Sequence, residues 1–190
     1  ALASSPTVSA LIYAFNDDAN ALLRIDPFAS IPSIAYAFPA FADLDADGDQ
    51  DLFMGAQDGF TYAFENQGSA ASPGPWVRKT SWETNIPDVG SFSSPAFSDL
   101  DGDGYQDLVV ARFSGQGYTY SNDGTTLNPY WTYNSSWNPP APGDCSRRCN
   151  PELVDLDGDG KKDFLIGTGA VNSAELTLYG YRNIGVGGPS

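Results

Sequence analysis

Three short apolar runs punctuate the chain at an even interval: Leu52-Phe-Met-Gly55, Leu108-Val-Val-Ala111 and Phe164-Leu-Ile-Gly167. Each is too brief for a helix, is rich in branched or aromatic residues and ends at Gly or Ala, so each reads as a buried strand. An alternating segment follows every run: Tyr62-Ala-Phe-Glu-Asn66, Tyr118-Thr-Tyr-Ser-Asn122 and Tyr179-Gly-Tyr-Arg-Asn183. Period-2 alternation puts its aromatics on one face of a strand, either packed between sheets or, if exposed, serving as a platform for sugar rings. Ahead of the runs stand Pro39 and Phe41, Pro95 and Phe97, Pro151 and Leu153, marking a strand of their own. Trp76 and Trp82, echoed by Trp131 and Trp137, mark a fourth. The pattern predicts an all-β chain with four strands per repeat and a period of 56 residues. The third aromatic segment arrives five residues late, which places a small insertion around residues 170–174.

Between the first strand and the apolar run of each repeat lies an acidic nonapeptide. The three copies are Asp43-Leu-Asp-Ala-Asp-Gly-Asp-Gln-Asp51, Asp99-Leu-Asp-Gly-Asp-Gly-Tyr-Gln-Asp107 and Asp155-Leu-Asp-Gly-Asp-Gly-Lys-Lys-Asp163. Carboxylates at positions 1, 3, 5 and 9, with Gly at position 6 for a sharp turn, gather hard oxygen ligands around one point, which suits calcium. The candidate ligands are Asp43, Asp45, Asp47 and Asp51; Asp99, Asp101, Asp103 and Asp107; and Asp155, Asp157, Asp159 and Asp163. The backbone carbonyl of position 7 (Asp49, Tyr105, Lys161) would point inward too, so its side chain should matter little. A merely solvated acidic turn is the plain alternative, but four like charges in nine residues repel strongly without a cation. An EF-hand is excluded, because position 12 is Met54, Val110 or Ile166 rather than Glu, and strands flank the loop instead of helices.

The stretch Pro95-Ala-Phe-Ser-Asp-Leu-Asp-Gly-Asp-Gly-Tyr-Gln-Asp-Leu-Val-Val110 resembles the FG-GAP or VCBS repeat, found in the β-propeller of integrin α-subunits and in some seven-bladed lectins. That resemblance implies a propeller-type array of four-stranded antiparallel blades, with calcium bound between the first two strands of each. It implies no single biological role. The expected units, together one domain, are a partial blade over 1–35, calcium-loop blades over 36–91 and 92–147, and an incomplete blade over 148–190. Segments Leu11–Asn16 and Ala21–Asp26 read as third and fourth strands, and nothing after Asn183 reads as a fourth, giving about 3.4 repeats. Propellers typically close with four to eight blades. The expectation is therefore that copies associate head to tail through their two ends, or that the chain is a fragment of a larger closed propeller.

Composition narrows the chemistry. The chain is 41% hydrophobic and 13% aromatic, which is globular rather than a disordered acidic tail. Its charge is −15, from 24 acids and 9 bases, and the three loops hold 13 of the acids. Three bound calcium ions would leave about −9, still too acidic for nucleic acid or an anionic membrane. No run approaches the ~18 apolar residues of a membrane span. With no histidine there is no Ser-His-Asp or Cys-His centre, and a zinc ion would find only Cys145 and Cys149 as soft ligands. Those two read as a short disulfide in an oxidising compartment. Asn134-Ser-Ser136 is a glycosylation sequon, followed by an extended Pro-rich stretch, Asn138–Gly143. The chain opens on Ala1-Leu-Ala, as a secreted product without its signal peptide would. Glu65, Glu83, Glu152 and Glu175 are scattered singly, so no free pair of carboxylates suggests a hydrolase. The expected function is an extracellular, non-enzymatic, calcium-binding structural repeat protein that self-associates into a fibre or surface assembly. The alternative is a carbohydrate-binding or adhesion module that uses exposed Trp and Tyr residues.

Overall fold

The structure, a computed structural model, describes residues 12–15, 22–25, 28–125, 128–139, 150–169 and 176–183. Cys145, Cys149 and the expected insertion at 170–174 lie outside the described residues. Strands β1 (Ile12–Phe15) and β2 (Leu22–Ile25) pair as an antiparallel hairpin. β3 (Phe38–Ala42), β4 (Asp51–Gly55), β5 (Thr61–Asn66) and β6 (Trp76–Arg78) form a four-stranded sheet in sequence order. β7 (Ser94–Ser98), β8 (Asp107–Ala111), β9 (Gly117–Asn122) and β10 (Trp131–Tyr133) repeat it. β11 (Asn150–Val154), β12 (Asp163–Gly169) and β13 (Leu176–Tyr181) form a three-stranded sheet. All described sheets are antiparallel, and apart from two single 3-10 turns no helix occurs among the described residues. The sheets do not close into a ring: no strand pairing joins the first to the last among the described residues.

The 56-residue period survives as register. Pro39 faces Met54, Pro95 faces Val110 and Pro151 faces Ile166 across the first ladder of each sheet. Every residue of β4 and β8 is buried, as expected for strands covered on both faces. One face of the first sheet meets the second through Phe53, Ala63, Leu108, Val110, Tyr120 and Trp131. The opposite face of the second sheet meets the third through Val109, Ala111, Phe164 and Ile166. The outer face of the first sheet, with Leu52, Met54, Phe64 and Trp76, lies under Phe28, Ile31 and Ile34. Each fully buried Leu, Val or Phe contributes roughly 1.5–3 kcal/mol.

Among the third-strand aromatics Phe64 and Tyr120 are core, each 1% exposed, whereas Tyr62 and Tyr118 are half-buried and Tyr179 is exposed. Trp76, Trp82 and Trp131 are buried as well, and only Trp137 is half-exposed. Trp82 sits in the 3-10 turn Thr80–Glu83 beyond β6, from which it fills the gap between the first and second sheets.

The sheet seam is tight at Gly55. A Cβ there would lie 2.1 Å from the Ser93 carbonyl oxygen and 2.7 Å from Pro95 Cδ. At Gly167, which holds the same register position in β12, a Cβ meets nothing within 4 Å. Gly55→Ala is expected to cost about 1–3 kcal/mol through overpacking and to lower the melting temperature by several degrees. Gly167→Ala should be neutral within about 0.5 kcal/mol. Equal melting curves for the two variants would refute the seam.

Candidate metal centres

Each acidic loop bridges the first two strands of its sheet, so the strand ladder fixes its two ends. Left-handed backbone makes the turn. Gly48, Gly104 and Gly160 have φ of 94°, 93° and 88°, with open space where a Cβ would stand. Their requirement is thus conformational rather than steric. Loop position 4 is left-handed too, in Ala46 (φ 58°), Gly102 (84°) and Gly158 (77°), so the first loop carries backbone strain that the others avoid.

Three groups of carboxylates result: Asp43, Asp45 and Asp51; Asp99, Asp101 and Asp107; Asp155, Asp157 and Asp163. In each group one oxygen per residue lies within 4.8 Å of the others, an arrangement that can hold a metal ion. The position-5 carboxylates, Asp47, Asp103 and Asp159, stand outside these groups. Their Oδ1 atoms accept the backbone N–H of Asp49, Tyr105 and Lys161 at 3.0, 2.8 and 2.9 Å. Those three position-7 residues differ in burial: Asp49 is 5% exposed, Tyr105 is half-buried and Lys161 is exposed.

Position 9 does more than the spacing suggests. Asp51 Oδ2 accepts the Leu44 N–H at 3.0 Å and its Oδ1 accepts the Asn66 N–H at 2.9 Å. Asp107 does the same for Leu100 and Asn122 (2.7 and 2.9 Å), and Asp163 for Leu156 and Asn183 (3.0 and 2.8 Å). Each carboxylate therefore ties the head of the loop to the end of the third strand. The sequence signal was the Asn that closes every aromatic strand.

The residues present fit a hard cation. Asp43 Oδ1 and Asp49 Oδ1 are buried without a hydrogen-bond partner among the described residues, a costly state unless an ion completes them. The donor set is all oxygen. Burial pushes the Asp51 and Asp107 carboxyls up to about 7, against the backbone N–H groups that favour their charged form. Burial, then the neighbouring aspartates, raises Asp45 and Asp49 too, and burial first raises Asp101. Asp155 goes the other way, held low chiefly by the Gly160 N–H. A bound divalent cation would supply the compensating charge in the raised clusters.

With calcium present, Asp107→Ala is expected to destabilise by at least about 2 kcal/mol more than Asp103→Ala. The first substitution leaves one buried and one half-buried N–H group without acceptors, whereas the second frees one exposed turn. Equal shifts in denaturant midpoint would contradict this ranking.

These features define a class: stacked antiparallel sheets in which an acidic turn joins the first two strands of each repeat. The FG-GAP-like repeat model matches residues 43–110 and 99–166, well over half of the chain, and the protein belongs to that family. No curated protein matches it.

Proposed function

We propose that the chain is an extracellular, non-enzymatic repeat protein that binds three calcium ions and has a structural role. The carrying observation is the threefold recurrence of a carboxylate group at one place in three stacked sheets. Calcium fits better than magnesium, which demands a strict octahedron and keeps several waters. Extracellular modules bind calcium at around 0.1–1 mM, and an affinity in that range is expected here. Titration calorimetry should return about three calcium ions per chain; no heat up to about 10 mM calcium would overturn the reading.

Self-association is part of the proposal, and one surface supports it. Leu178 on β13 is 67% exposed, whereas Thr61, its counterpart in β5, is 5% exposed, and Gly117 in β9 is buried. Neighbouring Tyr179 is 37% exposed, so β13 presents apolar side chains beside its own ladder. A second copy of the chain is the proposed cover. Sedimentation velocity should show calcium-dependent oligomers, and filaments should appear by negative-stain microscopy. Leu178→Asp should reduce them. Monomers at high concentration in calcium would rule association out.

Carbohydrate binding is the second reading, supported by one cavity of about 530 Å³ lined by Gln57, Asp58, Tyr62, Phe64 and Arg78 among others. Its aromatic face is partly taken, since the Arg78 guanidinium lies over the Tyr62 ring at 4.8 Å. Retention of the monomer on a glycan array would favour this reading.

A further inference from the structure

The three loops have the same fold but different charge. Residues 43–51 carry five net negative charges, residues 99–107 four, and residues 155–163 only two, because Lys161 and Lys162 offset two of the aspartates. A third cation reaches the third loop from outside. Arg182, directly after β13, places Nε 2.5 Å from Asp157 Oδ2 and Nη2 3.7 Å from Asp159 Oδ2.

The particular oxygen matters. Asp157 Oδ1 already accepts the Asp159 N–H at 3.2 Å, just as Asp45 Oδ1 and Asp101 Oδ1 accept the N–H of Asp47 and Asp103. In the first two loops the remaining oxygen, Oδ2, meets no donor among the described residues, while in the third Arg182 is on it. Glu65 and Ser121 hold the register position of Arg182 in the other sheets. Glu65 is an acid already paired with Lys79, and Ser121 is neutral, so neither competes with a cation.

We propose that Arg182 is a built-in counter-ion of the third loop, and that the loops fill with calcium in the order first, second, third. This rests on the calcium reading above. A calcium ion and a guanidinium both seek Asp157 Oδ2, so the ion must displace Arg182 before the third site can form. Affinity in such loops follows ligand charge, and both differences point the same way. Arg182 is largely exposed, so displacement leaves it solvated rather than stranded.

The amides of Gly48, Gly104 and Gly160, one per loop at the same position, report each site separately in a two-dimensional NMR titration with calcium chloride. The expected midpoints rise from Gly48 to Gly104 to Gly160. Arg182→Gln should lower the Gly160 midpoint about two- to fivefold, the order set by a partly exposed ion pair, and leave the other two unmoved. Ser121→Arg should raise the Gly104 midpoint in the converse sense. A Gly160 midpoint at or below the others, or one unmoved by Arg182→Gln, would overturn the proposal while leaving calcium binding intact. No shift in any of the three amides would remove the calcium reading and this inference together.

Discussion

Excess chelator should lower the melting temperature of this protein by about 10 °C at neutral pH. Calcium at tenfold over its dissociation constant stabilises by roughly 1.4 kcal/mol per site, or about 4 kcal/mol for three independent sites. For a chain of this length each kcal/mol shifts the midpoint by about 2–4 °C. The direction follows from electrostatics: thirteen loop carboxylates are held close together, and removing the ions leaves them to repel. Magnesium should restore only part of the loss, because it accepts fewer protein ligands. A melting curve in chelator that superimposes on the calcium curve would show that the loops stand without metal.

Much of the fold was legible because the acidic loops and the strands that flank them recur at 56 residues. That spacing located the first two strands of each repeat, and a run such as Leu108-Val-Val-Ala111, too short for a helix, reads as a buried strand. The metal loops were legible for the same reason, since alternate aspartates and a glycine at fixed offsets are local features. What escaped depends on chain segments far apart in sequence. The link from Asp107 to Asn122 is made by strand pairing, so the loop motif alone does not reveal that position 9 is a structural clasp. Arg182 reaches Asp157 only because β13 lies beside β12 and ends at the third loop. Position 7 was expected to act only through its carbonyl, yet the Asp49 side chain is buried and its Oδ1 lacks a partner, which spacing does not foretell. The tryptophans were ambiguous because composition cannot say which face of a strand another sheet will cover. Two of the four, Trp82 and Trp131, are covered where the first two sheets meet, and Trp76 is covered on the opposite face by Phe28.

Trp131→Ala should be the most damaging single substitution in the second sheet, and Trp137→Ala among the mildest. Trp131 is 1% exposed, and its ring centroid lies 6.0 Å from those of both Phe53 and Phe97, so it joins the first sheet to the second. Its indole Nε1–H donates to the Trp82 carbonyl oxygen at 2.7 Å in the same interior. Deleting a buried Trp side chain costs about 3–5 kcal/mol, a large part of a typical stability of roughly 5–15 kcal/mol. Leaving the Trp82 carbonyl unpaired adds about 1 kcal/mol or more. At Trp137 the described hydrogen bonds run through the backbone: its N–H donates to Asn134 and its carbonyl accepts from Thr119 Oγ1. Truncating that side chain should therefore cost under about 1 kcal/mol. Urea denaturation with calcium present reads both values. If Trp131→Ala unfolds at the wild-type midpoint, the two sheets are not held together by this indole, and the stacked arrangement of the first two repeats loses its central contact.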